Sequence, residues 1–114
     1  MEWGLTDAGY RVRVLVMTRF RGGEELDESL QGLAGLLTKL PGSLSAEIGR
    51  NLDEPDLWLL LTRWEDVGSY RRALSSYDVK MAMQPLMTTI LDEPSAYEQR
   101  DGEGAAVWNA NIPR

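Results

Sequence analysis

A chain of 114 residues, 43% of them hydrophobic, fits one domain with a packed core, and its formal charge of -6 argues against nucleic acid, whose phosphates need clustered Lys and Arg. It has no cysteine and no histidine. Disulfides, thiolate nucleophiles, Ser–His–Asp chemistry and the usual haem and transition-metal ligands are therefore closed to it. A carboxylate-only metal site is not expected either, because Asp53-Glu54-Pro55-Asp56 lacks the glycine turn of a calcium loop. No apolar run approaches the roughly 18 residues of a membrane helix, and no signal peptide precedes the first strand, so a soluble, cytoplasmic protein is expected.

Residues 1–10 read as an arm. Residues 11–20, RVRVLVMTRF, are apolar and β-branched enough for a first strand, which Gly22-Gly23 ends. Leu26, Leu30, Leu33, Leu37 and Leu40 then recur at spacings of four, three, four and three, an amphipathic helix. Acids gather at its start, where the helix dipole favours them, and Pro41-Gly42 stops it. Residues 43–51 alternate Leu44, Ala46 and Ile48 with polar positions, and the turn at 53–56 makes a hairpin with the next strand. That third strand runs through DLWLLLTRW, an apolar run that implies burial on both faces. Asp66 can cap a second helix with Val67, Tyr70 and Leu74 on one face. Ser75-Ser76 interrupts it, a further helical piece carries Val79, Met83 and Leu86 or Met87, and Pro85 kinks or ends that piece. Residues 88–98 read as a last strand, at an edge or bulged because Pro94 has no amide donor. Residues 99–114 form a tail.

The order is β-α-β-β-α-β, an α+β, ferredoxin-like arrangement over residues 11–98 with helices on one face of an antiparallel sheet. Covering the other face needs a second sheet. A homodimer packed as a dimeric α+β barrel is expected.

Several segments are familiar. The strand VRVLVMTRF, the Leu-rich helix ending in Leu40-Pro41-Gly42, the stretch TRWEDVGSYRRAL and the late segment PLMTTILDEPSAYE resemble the antibiotic biosynthesis monooxygenases. The resemblance covers about residues 11–98, and its most telling part is the order Trp64-Glu65-Asp66 followed by Ser69-Tyr70. It implies a dimeric α+β barrel. In some members it implies cofactor-independent oxidation of polycyclic phenols to quinones. Haem-degrading members need a histidine that this chain lacks. In quinone-forming members a Trp closing the third strand and a Tyr on the next helix are placed like Trp64 and Tyr70. The Asn that such members carry a turn before that Trp is replaced by Leu60, while Asn51 lies on another strand. Their Arg could correspond to Arg63, Arg71 or Arg72.

Trp64, Tyr70 and Arg63 are thus the catalytic candidates. The indole could stack on a flat substrate, the phenol donate or relay a proton, and a guanidinium hold a phenolate. Trp58, in phase with Trp64, joins Asn51, Arg72, Met83 and Met87 as candidate substrate contacts. The same aromatics and methionines would serve equally to pack a helix on a sheet. Glu47 and Glu65 are candidate bases if buried, and Trp3 and Trp108 could close over a pocket or a partner subunit. The expected ligand is a small aromatic or polyketide-like molecule, with no cofactor. A non-catalytic barrel that binds a hydrophobic ligand or a partner protein is the alternative, and a cyclase or isomerase is a third.

Overall fold

The computed structural model describes residues 12–100. The 1–10 arm, most of the 99–114 tail, Trp3 and Trp108 lie outside them. Four strands form one antiparallel sheet in the order β2-β3-β1-β4: β1 Val14–Arg21, β2 Ser43–Arg50, β3 Leu57–Trp64 and β4 Ala96–Glu98. Among the described residues three helices, α1 Glu25–Leu37, α2 Val67–Leu74 and α3 Tyr77–Met83, accompany it, with a 3₁₀ turn at Gln84–Leu86. This is the β-α-β-β-α-β order of a ferredoxin-like α+β fold, with its second helix split in two.

Alternation along the strands decides which side chains meet the helices. Val14, Val16 and Phe20 of β1 stand opposite Trp64, Thr62 and Trp58 of β3, so all six share a face. They are buried against Leu26, Leu30, Leu33 and Leu37 of α1. Burying one such leucine contributes roughly 1.5–3 kcal/mol, and Leu30 is 0% exposed. Leu40 lies beyond the end of α1, yet still packs against this core.

Gly42 makes the turn from α1 into β2. Its φ of 87° is a conformation that suits glycine, and an added Cβ would overlap the Ser69 hydroxyl. Its carbonyl accepts from the Glu65 amide at 2.8 Å, which ties the start of β2 to the end of β3. Asp66 does cap α2, its carboxylate accepting from the Ser69 amide at 2.7 Å. Ser76 caps α3 in the same way, so the interruption at Ser75-Ser76 is a second helix start.

Three sequence expectations change. Leu44 is not part of the alternation: the register shifts between Ser43 and Ser45, which leaves Leu44 bulged and 50% exposed. The last strand shrinks from 88–98 to Ala96–Glu98. Upstream of it, backbone bonds to β1 come singly, from Arg21 N to Thr89 O, Leu91 N to Arg19 O and Met17 N to Ser95 O. Between the last two, Asp92-Glu93-Pro94 bows outward, since Pro94 cannot donate and Arg19 grips Glu93 through two 2.7 Å bonds. Finally, β3 is not buried on both faces within one chain. Leu59, Leu61 and Arg63, which face away from the helices, are only half-buried. The helices cover a single face, and no described element lies over the other.

Candidate functional site

Between the sheet and the helices lies a hollow of about 180 Å³. Its sheet side is formed by Val16, Thr18 and Phe20 of β1 and Leu60, Thr62 and Trp64 of β3. Leu33 and Leu37 of α1, Tyr70 and Ala73 of α2, and Val79 and Met83 of α3 close it from above. Ile90 and Ser95, from the tethered segment before β4, complete the wall. The space persists because the small Ala73 sits over it and the helix breaks at Ser75-Ser76. A single unbroken helix with a large residue at position 73 would fill it.

Trp64 is 1% exposed and donates its indole N–H to the Thr62 hydroxyl at 3.0 Å. Its ring centre lies 6.3 Å from that of Tyr70, with the planes tilted by 52°. Burial pushes the Tyr70 phenol above its ordinary pKa, while the nearby Arg71 pulls weakly the other way. Tyr70 is therefore protonated at neutral pH, able to donate a hydrogen bond rather than to take up a proton. Among the described residues that line it, none is an Asp, Glu, Lys or Arg. An uncharged, largely apolar hollow of this size suits one aromatic ring, since a cavity of about 150 Å³ accepts benzene.

The structure brings Trp64, Tyr70 and Met83 together here and places the other candidates elsewhere. Arg63 is adjacent to Trp64 in sequence, so the strand's alternation sends it to the opposite face, across from Leu15 of β1 and Ser45 of β2. Trp58 shares the face of Trp64 but is sealed at the far end. Its N–H donates to the Gly22 carbonyl at 3.1 Å, and the Arg50 guanidinium lies 4.5 Å from its ring centre. Arg50 is held in turn by the Pro55 carbonyl and the Glu24 carboxylate. Asn51 holds the hairpin turn, its side-chain oxygen accepting from the amides of Asp53 and Glu54. Arg72 is exposed and reaches Ser69 at 3.3 Å, and Met87 is 59% exposed.

Sequence reasoning missed Thr62, the acceptor for Trp64. Its signal was available: two residues earlier on the same strand puts a hydroxyl on the same face as the indole. Thr18 and Ser95 gave no such signal, because their place in the wall depends on how β1 and the 88–95 segment are joined. Among the described residues, no group of three or more acids could hold a metal ion. No helix among them is long and apolar enough to cross a membrane.

The family model for antibiotic biosynthesis monooxygenases matches residues 11–85. The chain belongs to that family. Among solved structures, SnoaB, a cofactor-independent oxygenase from Streptomyces nogalater, is similar at a TM-score of 0.72 and 20% identity, over 81% of this chain and 97% of SnoaB. Protein SO0527 from Shewanella oneidensis gives 0.68 and 15%, over 78% and 92%. At these identities the likeness is one of fold. Protein SchA of Streptomyces halstedii is 26% identical over 93% of this chain. The 42.8 kDa protein in the whiE locus of Streptomyces coelicolor is 27% identical over 76% of it. The alignments span only 30% and 22% of those two relatives.

Proposed function

We propose that this family member is a cofactor-independent monooxygenase, acting in the cytoplasm on a small aromatic or polyketide-like phenol held in the hollow beneath α2. The observation that carries the reading is a neutral, one-ring cavity walled by Trp64 and by a Tyr70 phenol held protonated. SnoaB, with a similar fold, is a cofactor-independent oxygenase, which supports the same reading. An anthrone entering as its enolate would stack one terminal ring on Trp64 and take a hydrogen bond from Tyr70 on the anionic oxygen, its other rings extending out of the one-ring hollow. The electrons come from the substrate: a CH₂ group and O₂ give a C=O group and water. Because no carboxylate or amine lines the hollow, substrates that ionise readily are favoured.

The protein acts as a homodimer in this proposal. The sheet face away from the helices presents Leu15, Met17, Leu59, Leu61 and Tyr97, with Met17 42% and Tyr97 50% exposed. A second copy of the same face would bury that row. Light scattering on the full chain at micromolar concentration tests it, with a monomer counting against the barrel.

Oxygen uptake with a panel of hydroxyanthrones, followed by mass spectrometry for the quinone, tests the chemistry. Turnover that Trp64→Phe and Tyr70→Phe slow supports it. The absence of a general base among the lining groups favours a second reading, a barrel that binds aromatics without converting them. Tight binding with no oxygen uptake from any panel member would establish that reading instead.

A further inference from the structure

Tyr70 borders two hollows. On one side is the inner cavity, and on the other a groove of about 300 Å³ along the β4 edge, walled by Val14, Val67, Arg71 and Ala96. Among the described residues, Tyr70 is the one common to both walls. The hollows are consecutive along the same pair of elements. On β1, Val14 meets the outer groove and Val16 the inner cavity, on one face and roughly 7 Å apart. On α2, Val67 meets the outer groove and Ala73 the inner cavity, with Tyr70 between them. The Tyr70 ring is thus a partition across one channel between sheet and helix. Its hydroxyl makes no hydrogen bond among the described residues, so the ring can turn without breaking one.

The two halves differ in charge. The inner cavity has no charged side chain, whereas Arg71 lines the outer groove and forms no ion pair among the described residues. The carboxylate that shares the groove, Glu98, is engaged by Arg100 at 3.3 Å. An apolar chamber for one ring therefore lies across a tyrosine from an apolar groove with an available guanidinium.

We infer that the two hollows form one bipartite site for an elongated aromatic anion, with its hydroxylated ring inside Tyr70 and its carboxylate outside on Arg71. This rests on the proposed reading of the inner cavity as an aromatic site and extends it to the shape and charge of the ligand. A fused ring system exceeds the inner cavity, so it must displace the partition and lie along the groove. Arg71 then selects among such molecules by charge.

Calorimetric titration of the full chain with 2-naphthol and with 6-hydroxy-2-naphthoate tests this, since the two probes differ only in the carboxylate. The naphthoate should bind about tenfold more tightly, the low end for a charge-assisted hydrogen bond at a solvated arginine. In Arg71→Gln the two affinities should come within about twofold, and Arg71→Lys should restore part of the gap. Tyr70→Ala should shift preference from phenol toward both bicyclic probes, while Tyr70→Phe, which keeps the partition, should not. Circular dichroism checks that each variant is folded. Equal binding of the two probes by the unaltered protein, or a preference that survives Arg71→Gln, overturns the inference but leaves the aromatic cavity standing. Failure of both probes to bind removes the cavity reading and the inference together.

Discussion

Trp58 and Trp64 share a strand, a face and almost complete burial, and each has a satisfied indole N–H, yet only Trp64 borders the inner cavity. The difference lies in what covers them. Trp58 bonds across to the β1–α1 connection at Gly22 and is roofed by Arg50, itself anchored on Pro55 and Glu24. Three separate parts of the chain converge there, and the end is sealed. Trp64 bonds only to Thr62 of its own strand, and above it stand the tilted ring of Tyr70 and the small Ala73 of α2. Burial therefore does not separate a tryptophan of the closed core from one that lines the inner cavity. The covering side chains do.

The largest expected effect breaks the sealed end. Trp58→Ala should cost about 3–5 kcal/mol of folding stability by urea denaturation, through lost contacts and the cavity left behind. A loss under about 1 kcal/mol would mean that this end is not the closed core described here. At the other end, Trp64→Phe should keep the fold and slow hydroxyanthrone oxidation about tenfold, because a smaller ring stacks less well on the substrate and leaves the Thr62 hydroxyl without its donor. Unchanged kcat/KM would place the reaction away from Trp64. A smaller effect sharpens the contrast between the ends. Asp66→Ala removes the cap of the helix that carries Tyr70 and should cost about 1 kcal/mol. It should also weaken naphthol binding, whereas a loss of stability alone would show that the cap does not position the site.

The smallest effect concerns the segment that supplies Ser95 and Ile90 to the wall. Hydrogen bonding from Arg19, then its charge, holds Glu93 below the ordinary carboxylate range. A depressed folded-state pKa gives stability that is present above the unfolded value and lost as pH falls through the folded one. The contribution is thus full near neutrality and disappears only below the usual glutamate range of about 4.3. Hydrogen exchange of the Leu91 and Met17 amides should show the segment loosening in Glu93→Gln already at neutral pH. The unaltered protein should loosen there only in acid. Identical exchange in the two proteins would mean that the backbone bonds alone hold the segment.

The fold was legible because its signals are local. The leucine spacing from Leu26 to Leu37, the glycine and proline stops, the Asp66 cap and the element order required no knowledge of neighbours. The site was half legible. Trp64, Tyr70 and Met83 do meet, since a strand end feeding a capped helix brings its residues near one another. Arg63 was misplaced because proximity in sequence is not proximity in space when successive residues face opposite ways. Asn51 belongs to a turn its own flanking residues announce, Asn followed by Asp53-Glu54-Pro55. The apolar run of β3 suggested burial on both faces. Within one chain it buries one face and leaves Leu59 and Leu61 half-covered, a question for the assembly rather than the strand.

From its residues alone this chain fixed its helices, its strand order along the backbone, its lack of cysteine and histidine chemistry, and its formal net charge of -6. Those follow from periodicity, capping and composition, which act within a few residues. Which tryptophan borders the inner cavity and which packs beneath Arg50 was settled only in three dimensions, as was the place of Tyr70 beside two hollows. Each depends on side chains from distant segments arriving over the same patch of sheet, and no short-range pattern encodes that meeting.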